Sequence, residues 1–250
     1  MPDRASDVAT RCGWPPWDTI SYWPATGRNR SKRSAEKSKP PVPKREYGRS
    51  ASTWLAEELH DLTRREGIEI DVVINNAGIF SFCDLLRTPA ERIERIILLH
   101  DLTNTEMCRL YAADMVRRGC RGHILNMSSY SLWMPFPGLS LYSASKAYLR
   151  AFSVAFAKEV REHGIRVTAV CPAGVATDLY GLTPRWQRIG LRLGVLISAD
   201  ACARRGLRGL WRGRRTVVPD WWNRIWIPLC KLLPMWVIRP LRRYTMQFQK

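Results

Sequence analysis

Apolar residues recur with a readable period only from about Ser52 onward. Leu55, Leu59 and Leu62 fall one and two turns apart behind Ser52 or Thr53, either of which can cap a helix. That pattern predicts a helix to Arg65, stopped by Gly67. Ile70–Ile74 is a short continuous apolar run, as in a buried parallel strand. Pro89 opens a helical pattern through Ile93, Ile96, Ile97, Met107, Leu110, Tyr111 and Met115, one long helix or two, ending near Gly119. A strand over His123–Met127 follows, then a helix from Ser140 to His163 ended by Gly164. Ile165–Cys171 reads as a second buried strand, Ser198 as the cap of a basic helix through Arg208, and Thr216–Val218 as the last strand.

The first fifty residues carry no such period. Trp14-Pro15-Pro16-Trp17, Trp23-Pro24 and Pro40-Pro41-Val42-Pro43 interrupt any helix or strand, and basic and Ser residues fill Arg28–Lys39. The chain therefore divides into an irregular segment 1–50, a regular domain 51–220 and a Trp-rich basic tail 221–250. The formal charge of +18 follows the same division: net +6 over residues 1–50, −1 over 51–180 and +13 over 181–250. Basic ends around a neutral middle suit an anionic surface. Trp221, Trp222, Trp226 and Trp236 among Arg224, Lys231, Arg239, Arg242 and Arg243 suit a helix lying in a membrane interface, with a dimer contact or pocket flap as the alternatives. Nucleic acid is disfavoured as a partner, since no recognised module accompanies the charge. Seven cysteines without CxxC pairing point to free thiols in a reducing cytoplasm and to no metal site. No signal-like leader and no run of about 20 apolar residues is present.

The candidate chemistry lies at Ser129, Tyr142 and Lys146. Tyr142 and Lys146 are four apart, so a helix from Ser140 stacks them on one face. A phenol with an ordinary pKa near ~10 becomes a usable acid–base group when a cation favours its anion. Such i,i+4 pairs are common on helices; the flanking residues give this one meaning. Gly-His-Ile-Leu-Asn-Met-Ser-Ser (122–129) followed by Tyr-Ser-Ala-Ser-Lys-Ala (142–147) resembles the active-site signature of the short-chain dehydrogenases/reductases. Asn-Asn-Ala-Gly (75–78) resembles that family's second fingerprint, at a fitting distance.

The resemblance covers about residues 53–220. It implies an α/β fold, a Rossmann-like doubly wound parallel sheet with its N-terminal strands missing or irregular. It implies hydride transfer between NAD(P)H and a ketone or secondary alcohol, with a slight preference for NADP drawn from Gly27-Arg28-Asn29-Arg30. In the implied roles Ser129 binds the carbonyl oxygen, Tyr142 transfers the proton, and Lys146 lowers the phenol pKa and holds the nicotinamide ribose. Asn75, Ala77 and Gly78 would lie against the cofactor, and Pro172, Val175 and Thr177 would form the turn that holds the carboxamide. Asp178–Gly194 would be a mobile lid over the substrate. The apolar loop Trp133–Pro137 and the Trp-rich tail suggest a lipophilic substrate, such as a 3-oxoacyl thioester or a steroid-like ketone. Homo-oligomers are implied by the family's habit.

Two departures stand out. Asp101 occupies the position where the family usually carries an Asn, with Asn104 one turn further on. No glycine before Gly67 has the GxxxGxG spacing that holds a cofactor pyrophosphate, which suggests a truncated, frameshifted or mispredicted start. The alternative is therefore a cofactor-impaired remnant, acting as a membrane-associated interaction protein or arising as a broken gene product.

Overall fold

The computed structural model describes residues 51–134, 136–177 and 183–220, together with Trp236. The irregular segment 1–50, and the 221–250 tail apart from Trp236, lie outside the described residues. Among the described residues no helix is long and apolar enough to cross a membrane.

Helix α1 (Ala51–Arg65) leads through Gly67, at φ 65°, into strand β1 (Val72–Asn75). Ser52 and Thr53 lie inside the helix rather than before it, a boundary shift of one or two residues. Helix α2 (Ala90–Ile97) starts behind Pro89, and helix α3 (Asn104–Arg117) ends at Arg118 before Gly119, at φ 65°. Between them Leu98–Thr103 forms a π-helical turn. Its widened ring leaves carbonyls that ordinary helical amides do not reach. Thr103 Oγ1 donates to Leu98 O (2.9 Å), and Asn104 Nδ2 donates to Leu99 O (2.9 Å) and His100 O (2.8 Å).

Strand β2 (His123–Met127) is followed by a short 3₁₀ turn (Tyr130–Trp133) and helix α4 (Ser140–Glu159). α4 stops four residues earlier than the apolar pattern suggests, and Val160–Gly164 close as turns, with Gly164 at φ 75°. Strand β3 (Arg166–Val170), strand β4 (Gly174–Ala176), helix α5 (Pro184–Arg192), strand β5 (Leu196–Ser198), helix α6 (Ala199–Trp211) and strand β6 (Thr216–Val217) complete the order. Ser198 caps α6, its Oγ accepting from Ala201 N at 3.1 Å.

The main sheet runs β1-β2-β3-β6, all parallel. Alternation along β2 and β3 sends side chains to two separate cores. Ile124 and Val167 meet Cys108, Tyr111, Ala112 and Met115 of α3 and Ala157 of α4 on one face. Leu125 and Val170 meet Cys202 and Leu210 of α6 on the other. α6 lies close to the sheet because Gly209 has no Cβ to collide with Val217. α1 buries Ala56 and His60, and His60 Nε2 is 2.7 Å from Asp114 Oδ2 of α3, with its ring edge-on to Tyr111. A doubly wound parallel sheet puts its functional site at the carboxyl ends of its strands, which here are Asn75, Met127 and Val170.

Two stretches carry more secondary structure than the apolar pattern announces. The Pro172–Thr177 stretch is more than a turn: β4 pairs in parallel with β5, Gly174 opposite Leu196, so closely that a Cβ at Gly174 would clash with that Leu. The stretch expected as a mobile lid contains helix α5, started by Pro184 at its N-terminus and tied back by Gln187 Nε2 to Thr177 O (3.3 Å). Residues 178–182 lie outside the described residues.

Candidate active site

The carboxyl ends of β1, β2 and β3 converge on the first two turns of α4. Ser128 N donates to Val170 O (2.8 Å) and Tyr130 N donates to Pro172 O (2.8 Å), so the chain after β2 stays zipped to the chain after β3. Ser128 and Ser129 are thereby sent in different directions. The Ser128 hydroxyl donates to Lys146 O (2.7 Å), pinning α4 to the strand end. Ser129 Oγ accepts from Ser131 N (3.2 Å) at the start of the 3₁₀ turn.

Tyr142 and Lys146 are both buried, one turn apart, with the ammonium 5.8 Å from the phenol ring centroid. Lys146 Nζ donates to Met127 O at 2.9 Å. Burial lowers its pKa from 10.5 to about 8, opposed chiefly by the charge of Asp101. The ammonium is therefore a poised cation, not a permanently charged one. Asp101 is pushed the other way: burial raises its carboxyl from 3.8 to about 6, against the opposing charge of Lys146. Its Oδ1 is buried without a hydrogen-bond partner in the structure. Asp101 therefore titrates later than an ordinary carboxyl but is mostly ionised at neutral pH, where its charge supports the Lys146 cation.

The Asn75 side chain ties strands together. Its Nδ2 donates to Asn126 Oδ1 (2.8 Å), Asn126 Nδ2 donates to Ser153 Oγ (2.8 Å), and Ser153 Oγ donates to Leu149 O (2.6 Å). This buried relay joins β1, β2 and α4, so the loop after β1 is registered against the helix carrying Tyr142. Ala77 and Gly78 lie exposed on that loop. A Cβ at Gly78 would stand 3.1 Å from His100 Nε2 and 3.4 Å from Lys146 Nζ, so glycine keeps the space beside the ammonium open. On the other side, Pro172 is buried, Val175 packs on the second core, and Thr177 is half-buried.

The periodicity did not single out two neighbours of Tyr142. Phe80 meets its ring edge-on at 5.2 Å and His100 at 5.9 Å. His100 is fully buried in the π-helical turn, and its imidazole is held far below the usual histidine range, at about 3, by burial and then by Lys146. The residues that mark it in the sequence are Thr103 and Asn104, polar side chains at the point where the apolar pattern loses phase. In the Trp133–Pro137 loop, Trp133 is spent on packing against Arg150 (5.5 Å) and Tyr130 (5.8 Å), while Phe136 stacks on Phe82 (6.1 Å).

A parallel sheet in this order, flanked by helices on both faces, is a Rossmann-like doubly wound α/β fold, with Ser129, Tyr142 and Lys146 on the elements that follow the carboxyl end of β2. The sequence pattern of the short chain dehydrogenase family matches residues 56–188, just over half of the chain, and the chain belongs to that family. It is 35% identical over 113 residues to the probable oxidoreductase EphD of Mycobacterium tuberculosis, covering 45% of this chain and 19% of that protein. It is 38% identical over 121 residues to the 17-beta-hydroxysteroid dehydrogenase type 3 of Danio rerio, covering 46% and 39%. The chain thus spans less than half the length of either curated relative. The short-chain dehydrogenase of Sphingobium yanoikuyae, solved in complex with NADPH, superposes with a TM-score of 0.58 at 28% identity, covering 71% of this chain and 68% of that one.

Proposed function

We propose that the chain is an NAD(P)H-dependent reductase that interconverts a lipophilic ketone and its secondary alcohol. The observation that carries this reading is the buried Tyr142–Lys146 pair one turn apart on α4, with Lys146 brought to about 8 and Ser129 just past the end of β2. The cofactor, when bound, supplies the hydride to the carbonyl carbon. Ser129 donates a hydrogen bond to the carbonyl oxygen, orienting it and favouring negative charge there. Tyr142 gives that oxygen its proton, and the Lys146 cation stabilises the phenolate left behind. Lys146 has two protons beyond the one on Met127 O with which to hold the ribose hydroxyls.

The residues present fit the nicotinamide and ribose end of such a cofactor. Gly78 leaves room beside Lys146, and Asn75, Ala77, Pro172, Val175 and Thr177 border the same strand ends. The chain has no GxxxGxG, so no residue is assigned to the pyrophosphate, and a preference for NADP rests only on Gly27–Arg30. Support for a lipophilic substrate comes from Phe80 against Tyr142 and from the Phe82–Phe136 stack. The Danio rerio relative is named for a hydroxysteroid. The same reading takes 51–220 as the catalytic domain and 221–250 as a peripheral membrane contact, in a cytoplasmic homo-oligomer.

The test is oxidation of NADPH and NADH in the presence of long-chain 3-oxoacyl thioesters, steroid ketones and a small hydrophilic ketone. Turnover that favours the lipophilic substrates is expected. No turnover, together with no change in Trp fluorescence on millimolar cofactor, would overturn the reading.

A further inference from the structure

We propose that His100 is a positioning residue of this site: a neutral imidazole that holds the loop after β1 and the Tyr142-bearing turn of α4 at a fixed separation, through one hydrogen bond to each. The catalytic consequence rests on the reductase reading; the geometry does not.

His100 bridges the two elements directly. Ile79 N donates to His100 Nε2 (2.9 Å), and His100 Nδ1 lies 2.9 Å from Ser145 Oγ. Ser145 Oγ in turn lies 2.9 Å from Tyr142 O, which can only accept. These bonds fix every proton. A backbone amide must donate, so Nε2 carries the lone pair. A neutral ring then has its hydrogen on Nδ1, which donates to Ser145 Oγ, and the Ser145 proton goes to the Tyr142 carbonyl. A second proton on the ring would set Nε2–H against Ile79 N–H inside a fully buried site, beside the Lys146 ammonium. The imidazole is therefore barred from acid–base work. It is a rigid spacer between the Asn75–Ile79 loop, which borders the cofactor side, and the residue that transfers the proton.

The backbone supports that role. His100 sits in the π-helical turn, where the wider ring moves a side chain away from its ordinary helical position. Thr103 and Asn104 hold the turn open by capping Leu98 O, Leu99 O and His100 O. Gly78 allows the imidazole its closest approach to the loop.

The two bonds can be removed separately. His100→Gln places an acceptor near the Nε2 position and keeps the Ile79 bond while losing Ser145. His100→Asn places a donor near the Nδ1 position and keeps Ser145 while losing Ile79. Gln is expected to lower kcat by about 10- to 100-fold with cofactor affinity nearly unchanged. Asn is expected to weaken cofactor binding about tenfold while keeping kcat within about threefold. Ser145→Ala should reproduce the Gln result. A residue that merely fills the core would destabilise the fold in every variant and show no such split, and that result would overturn the proposal. The imidazole ¹⁵N shifts of the full chain, assigned by their loss in His100→Gln, give a readout independent of turnover. A neutral Nδ1–H tautomer from pH 5 to 8 is expected; the Nε2–H tautomer, or titration near pH 6.5, would refute the bond pattern. If the wild-type chain neither turns over nor binds cofactor, the reductase reading fails, and the ¹⁵N tautomer still decides the spacer.

Discussion

Lys146 carries a stability penalty that can be measured by changing the pH. It is 4% exposed, and burial lowers its pKa from 10.5 to about 8. A base whose folded pKa is depressed contributes full stability above its unfolded pKa and loses it as the pH falls through the folded one. The window here runs from about 10.5 down to about 8. Linkage places the penalty at roughly 3 kcal/mol at pH 7, falling to roughly 1 kcal/mol by pH 10. Lys146→Met removes the charge at similar volume, but it strips Met127 O of its donor, a loss of about 1–3 kcal/mol that does not depend on pH. The variant should therefore match or exceed wild type in stability at pH 7. Wild type should overtake it toward pH 10, a swing of about 2–3 kcal/mol. Urea unfolding of both proteins at pH 7, 8.5 and 10 reads that swing. A difference constant to within about 0.5 kcal/mol would refute the claim that the folded chain holds a desolvated ammonium.

Other consequences follow from the same contacts. Asp101→Asn removes a carboxylate that raises the Lys146 pKa, so the alkaline decline of reductase turnover should begin at lower pH than in wild type; an unmoved profile would separate the two groups. Asn126→Leu leaves Asn75 Nδ2 only the weak Cys108 Sγ acceptor (3.5 Å) and removes the donor to Ser153. It should cost about 2–4 kcal/mol in urea unfolding, since buried polar groups lose their partners at once. Ser198→Ala deletes the cap of α6 and should cost about 1 kcal/mol, with little effect on turnover.

Much of this site was legible because its parts are local. The Tyr142–Lys146 spacing needs only a helix, and α4 supplies it from Ser140. Strand β2 runs over the five residues expected of it, with Ile124 and Leu125 buried on opposite faces of the sheet. Gly67 and Gly164 stop or close their elements with positive φ, a local requirement that glycine meets. What escaped was non-local. β4 exists only through its pairing with β5, twenty residues away, and no periodicity over Gly174–Ala176 could announce it. The π-helical turn escaped because apolar residues on both sides keep a helical period, and one widened ring merely shifts the phase between Ile97 and Met107. His100 went unnoticed for the same reason, since its two partners come from β1's loop and α4. Asp101 was visible as a departure, but its effect on Lys146 depends on burial, which only the packing reveals.

In the proposed reaction the Tyr142 phenol is the proton donor. The most direct measurement is single-turnover reduction of a lipophilic ketone by NADPH or NADH, comparing wild type with Tyr142→Phe at matched cofactor occupancy. The phenyl ring keeps the volume and the edge-on contacts to Phe80 and His100, so folding and cofactor binding should hold. The rate of hydride transfer should fall by about 100- to 10,000-fold. A variant that reduces the ketone at the wild-type rate would contradict the central claim.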